Sequence, residues 1–115
     1  MAELPLLGLH EHVRDDEEIA RLPRERLHPG VTYKVLWREA GSLAGVMWVA
    51  AGAVVPEHVH DSASHHVWVV DGRARTGDRE LGRGSYWHVP AGIPHAVEGL
   101  EAFGCELFYL YLRGA

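Results

Sequence analysis

A single cysteine, Cys105, stands in the whole chain. One thiol cannot close an internal disulfide, so packing and hydrogen bonding must hold the fold, as suits a reducing cytoplasm. Any excess of positive charge is also missing. The 11 Lys and Arg against 16 Asp and Glu leave a formal net charge of −5. That sign removes nucleic acid and anionic membrane as principal partners. No apolar run comes near the ~20 residues that cross a bilayer. The apolar start "LPLLGL" (4–9) has no basic residue ahead of it and acid after it, which is not the pattern of a secretory leader. There is no G-x-S-x-G elbow or other triad signature. Repeats, linkers and low-complexity stretches are absent too, so 1–115 reads as one domain with an N-terminal extension over 1–30.

What remains is ordinary in hydrophobic content (47%) and rich in punctuation, with 13 glycines and 6 prolines. "DDEEIARL" (15–22) predicts a short helix that begins on acidic residues and stops at Pro23. From Val31 onward the texture changes to short apolar or alternating runs: "VTYKVLW", "LAGVMWVA", "HHVWVV", "SYWHVP" and "CELFYLYL". Turn signals separate them, and Asp71-Gly72 and Thr76-Gly77-Asp78 both read as hairpin turns. Regular short strands at this spacing predict an all-β antiparallel sandwich or barrel.

The chain is also rich in histidine, with 9 residues, four of them between Pro56 and Gly72. His58 and His60 are two apart, so on a strand both side chains leave one face. His65 opens the next strand, on the face of Val67 and Val69, and His95 follows "VPAGIP" much later. A first-row metal needs three or four ligands from neighbouring elements, which a barrel can supply. Neutral imidazole suits zinc, iron, copper, nickel and manganese about equally.

Gly52, His58, His60, His65 and Gly72, followed by Gly84, Pro90, Gly92 and His95, resemble the two motifs of the cupins, G-x5-H-x-H-x3,4-E-x6-G and G-x5-P-x-G-x2-H-x3-N. Two positions depart from the pattern: His65 stands where the family usually has glutamate, and Gly99 takes the asparagine place. The resemblance covers a motif core of 52–99. It implies a double-stranded β-helix (jelly-roll) barrel holding one divalent transition metal per chain on His58, His60, His65 and His95. Such a chain is similar to the small four-histidine cupins, some of which activate dioxygen or cleave carbon–carbon bonds. If His65 has turned away, the site is similar to the three-histidine site of the diketone-cleaving cupin dioxygenases. The function this implies is a mononuclear non-haem metal dioxygenase acting on a small organic molecule. Its rivals are a non-redox zinc enzyme, such as an isomerase, and a metal- or ligand-sensing module like the sensory domain attached to some anti-sigma factors. Cupins also usually pair as homodimers, and some work beside a partner enzyme.

The other histidines have blander expectations. His66 is expected to be exposed or in a subunit contact, together with Trp68, and "LPLLGL" is a second candidate for that contact. His10 and His12 read as solvated, His28 as incidental in a loop, and His88 as a candidate outer donor to the metal ligands. Glu57 and Glu98 are weak candidates for a general base. For the pocket wall, Met47 or Trp48 and Tyr86 or Trp87 pose a choice of parity, with Tyr86 or Trp48 preferred against the substrate.

Overall fold

The computed structural model describes residues 9–114. Most of the suggested "LPLLGL" contact therefore lies outside the described residues. The one helix among them, α1 (Asp16–Arg21), forms where the acidic run placed it. Asp15 is its N-cap. The Asp15 carboxylate accepts from the Glu18 N–H at 2.8 Å and the Glu18 carboxylate accepts in return from the Asp15 N–H at 3.3 Å, a reciprocal capping box. The other end is held by Lys34, whose ammonium donates to the carbonyls of Ile19 (2.9 Å) and Ala20 (3.2 Å), where a cation meets the negative end of the helix.

Nine strands follow: β1 (Glu25–His28), β2 (Val31–Glu39), β3 (Ser42–Val49), β4 (Val54–His58), β5 (Ala63–Thr76), β6 (Arg79–Gly82), β7 (Tyr86–Val89), β8 (His95–Gly99) and β9 (Cys105–Arg113). They pair in the order β1-β2-β3-β9-β5-β8-β4, with β6 and β7 also on β5, and every strand pair is antiparallel. The result is the expected all-β barrel. Its core is a set of side chains on one parity of each strand, rich in β-branched residues that suit a pleated surface. Val31, Val49, Val67 and Val69 are at most 2% exposed, and Met47, Leu107 and Tyr109 pack among them.

The structure corrects several sequence expectations. Asp71-Gly72 is not a hairpin turn, because β5 runs straight through it. The register slips between Val69 and Asp71, and Gly72 sits at φ 76°. This bulge lets the next residue, Arg73, donate its N–H to the Gly104 carbonyl at 2.9 Å. Gly77-Asp78 is the true two-residue turn, since Thr76 pairs with Arg79 across it. His28 ends a strand rather than lying in a loop. His10 and His12 are exposed as expected but not without partners: both rings bond the Glu39 carboxylate, His12 at 2.7 Å, and the His12 ring stacks on Trp37 at 5.1 Å. The segment before the helix is thereby clipped to the end of β2.

Candidate metal centre

Three neighbouring elements bring the four motif histidines to one end of the barrel. His58 closes β4 and pairs directly across the sheet with His95, the first residue of β8. His60 lies just past the end of β4, in a loop tied down by the Gly92 N–H on the His60 carbonyl at 2.8 Å. His65 reaches in from β5 and is 6% exposed. One ring nitrogen from each of His58, His60 and His95 can be chosen so that all three lie within 4.8 Å of one another. His65 lies beside them, its Nδ1 2.9 Å from His95 Nε2, but the group whose ring nitrogens all come within 4.8 Å of one another consists of His58, His60 and His95. Ring centroids in the set are 4.2 Å apart for His58 and His95 and 5.5 Å for His60 and His65.

Backbone carbonyls orient the rings. His58 Nδ1 donates to the Pro56 carbonyl (2.8 Å) and His95 Nδ1 to the Ile93 carbonyl (3.1 Å), which makes the Nε2 of each ring an acceptor. His65 Nδ1 must then be the donor to His95 Nε2, and His65 Nε2 is left with a lone pair and no partner. That atom and His60 Nε2 are both buried and unpartnered among the described residues. Burial lowers the pKa of His60, His65 and His95, with neighbouring imidazoles adding repulsion at His60 and His65; His65 falls to about 2. Imidazoles converging from three elements, their protonation opposed by burial at His60, His65 and His95 and two of them carrying an orphaned Nε2, have the donor chemistry a divalent metal requires, so these residues fit one.

The cluster closes one end of an inner cavity of about 60 Å³ walled by Met47, Val55, Val67, Trp87, Val97 and Leu107. Tyr111 stands beside the cluster, its ring 4.4 Å from His60 and 4.3 Å from His65. Burial pushes its phenol up to about 12, so it stays protonated. Tyr111 and His60 also line a wider hollow of about 460 Å³ open to the surface, which carries Arg38 and Asp61.

Of the pocket residues expected from sequence, Met47 faces the cavity. The structure does not bring Trp48, Tyr86 or His88 to the cluster, because all three project from the outer face of the sheet. Trp48 donates to Glu106 at 3.0 Å and stacks under Arg24, Tyr86 bonds His66 at 2.7 Å, and His88 stacks on His66. Trp87, on the opposite parity from Tyr86, is the residue that faces inward. Tyr111 was not singled out at all, although its alternation with Tyr109 in "FYLYL" put both on one face. A larger hollow of about 500 Å³, lined by Arg24, Trp48, Phe103 and Glu106 among others, contains none of the four histidines.

A barrel of this topology with histidines at these places is that of a cupin. A family model described as the ChrR cupin-like domain matches residues 10–112, and the chain belongs to that family. It is 26% identical over 90 residues to oxalate decarboxylase OxdC of Bacillus subtilis (strain 168), an alignment that covers 78% of this chain but 20% of the relative. Among solved structures, one similar chain comes from the Rhodobacter sphaeroides SigE complex with the anti-sigma ChrR, with a TM-score of 0.70 and 20% identity over 80% of this chain and 49% of that one. KdgF from Halomonas sp. gives a TM-score of 0.73 at 20% identity over 90% and 95%. An RmlC-like cupin from Shewanella frigidimarina gives 0.74 at 20% identity over 91% and 94%. The chain thus spans a fifth of its curated relative and about half of the chain in the anti-sigma complex. At these identities the structural likeness is one of fold.

Proposed function

We propose that this chain is a metal-dependent enzyme acting on a small organic molecule, with His58, His60, His65 and His95 holding one divalent transition metal. The observation that carries the reading is the convergence of ring nitrogens of His58, His60 and His95 within 4.8 Å, with His65 beside them and orphaned Nε2 atoms on His60 and His65, at the end of an apolar cavity. Its finer form is a mononuclear non-haem dioxygenase working in the cytoplasm as a homodimer. Iron or copper bound there would supply redox chemistry with dioxygen, whereas zinc would polarise a carbonyl. The protein's own part is to fix the imidazole tautomers through Pro56 and Ile93, to keep water out with Met47, Val55, Val97 and Leu107, and to hold Tyr111 as a protonated phenol beside the cluster.

A sensing module is the second reading, and the match to the ChrR cupin-like domain favours it. Such a module would bind metal or ligand without turnover and signal through a partner protein.

Elemental analysis of untagged protein, beside a His65→Ala variant, tests both. Iron or copper near one per chain, falling sharply in the variant, supports the four-histidine redox site, and dioxygen uptake on enols and phenols then separates enzyme from sensor. Zinc at full occupancy moves the reading to non-redox chemistry. Metal retained in the variant removes His65 from the ligand set, and no affinity for any added metal defeats the proposal.

A further inference from the structure

Three buried side-chain polar atoms lack a partner among the described residues: His60 Nε2, His65 Nε2 and Trp87 Nε1. The first two belong to the candidate metal centre. The third cannot, because an indole N–H is a donor only and has no lone pair to give a metal. A buried donor without an acceptor is costly to keep, and native folds rarely keep one without a reason. Trp48 shows the usual outcome in the same molecule, with its indole N–H satisfied by Glu106 at 3.0 Å.

The place of Trp87 supplies a reason. On β7 it pairs with Val67, and Val89 pairs with His65, so Trp87 stands one inward step along the sheet from a cluster histidine. It lines the same cavity of about 60 Å³ as His58, His65 and His95. Much of the remaining wall is Met47, Val55, Val97 and Leu107, which offer an indole proton nothing to bond. The space admits only a few heavy atoms. A larger molecule would have to leave its body in the outer hollow of about 460 Å³, which Tyr111 shares with the cavity.

We infer that Trp87 is a ligand-positioning residue: its indole N–H donates to a carbonyl or carboxylate oxygen of the small molecule whose compact end enters this cavity beside the histidines. The inference rests on the metal-centre reading above and names the ligand chemistry of that site. The donor fixes the orientation of an oxygen-bearing end without adding charge, so the cavity favours an acceptor oxygen over an alkyl group of the same size.

The test uses the full-length, zinc-loaded, ¹⁵N-labelled protein with formate as the probe, a three-heavy-atom acceptor that suits the cavity. Zinc affinity is measured first, by competition with a chelating dye. Of the four tryptophan indole N–H signals, the Trp87 signal is identified by its contact with Val67 and by its loss in Trp87→Phe. Formate is expected to move that signal, and Trp87→Phe to weaken formate binding by roughly 3- to 10-fold with zinc affinity unchanged. If the variant does not fold, the wild-type signal carries the test alone. Formate binding with a stationary Trp87 signal overturns the inference and leaves the metal centre standing, as does an equally tight Trp87→Phe variant. Failure of the wild-type chain to take up zinc overturns both.

Discussion

His65 is 6% exposed, and burial, reinforced by repulsion from His95, His60 and His58, holds its pKa down to about 2. The sign of the consequence follows from linkage. The unfolded chain takes a proton on this residue near the ordinary histidine value of about 6.5, while the folded chain refuses it until about 2. Stability contributed by keeping His65 neutral is therefore complete above about pH 6.5 and drains away as the pH falls through the window down to 2. Chelator-treated protein should lose up to about 1.4 kcal/mol per pH unit for this one proton below pH 6. His65→Gln should flatten that slope in urea unfolding at pH 7.5, 6 and 5, and an unchanged slope would refute the assignment. Glycines permit an equally pointed comparison. Gly72 and Gly52 both sit at positive φ, 76° and 83°. A Cβ on Gly72 would meet the Gly104 carbonyl oxygen at 2.1 Å, whereas one on Gly52 would meet nothing within 4 Å. Gly52→Ala should cost only backbone strain, about 1 kcal/mol. Gly72→Ala adds a clash with main chain and should cost roughly 1–3 kcal/mol more. Thermal unfolding of the two variants would reveal a reversed order if the bulge were misplaced.

At the scale of elements, the clip between the N-terminal segment and β2 has its own pH signature. Hydrogen bonds from His10 and His12 hold the Glu39 carboxylate at about 2, well below its ordinary range. A lowered acid pKa stabilises above the unfolded value of about 4.5 and loses that contribution as the pH falls toward 2. Glu39→Gln should therefore loosen residues 10–14 at pH 6, seen as faster backbone hydrogen exchange, and differ little from wild type near pH 2. Much of the element map could be read in advance. Asp15 with Glu18 marks a helix start, and the long apolar runs became β2, β3, β5, β7 and β9. Strands β1, β4, β6 and β8 escaped because each holds proline, glycine or charge where the equally short β7 is largely apolar. The four histidines were legible because their order along the chain is fixed by motif spacing. The cavity wall was not, because which parity faces inward is set by the partner strand, Trp87 opposite Val67 and Met47 opposite Leu107, and no local residue pattern announces that pairing. That is why Trp48 and Tyr86 looked inward on paper and face outward in the fold.

Across the whole molecule, the outer face of β5, β7 and β9 carries an aromatic patch. Trp68 is 37% and Tyr86 46% exposed, with ring centroids 4.9 Å apart, and Phe108 packs 5.5 Å from Trp68. The proposed homodimer would bury this face, since aromatic side chains without cover favour association. Trp68→Glu should convert a dimer to a monomer in sedimentation equilibrium without changing metal uptake, because Trp68 stands on the opposite parity from Val67 and the cavity. A wild-type monomer at high micromolar concentration would end that proposal. No described helix is long and apolar enough to cross a membrane.

Strand β5 lies beside β9, β7, β6 and β8 in turn, and it carries His65. During synthesis it leaves the ribosome well before β9, its longest neighbour, exists. Three of the four cluster histidines are likewise made before His95. The chain must therefore wait, with its central strand unpaired along most of one edge, until its last described strand is available. Pairings this distant in sequence are slow to close. The histidine cluster accordingly depends on strands made late in the chain, and a nascent chain stalled before β8 would lack the His95 that pairs with His58.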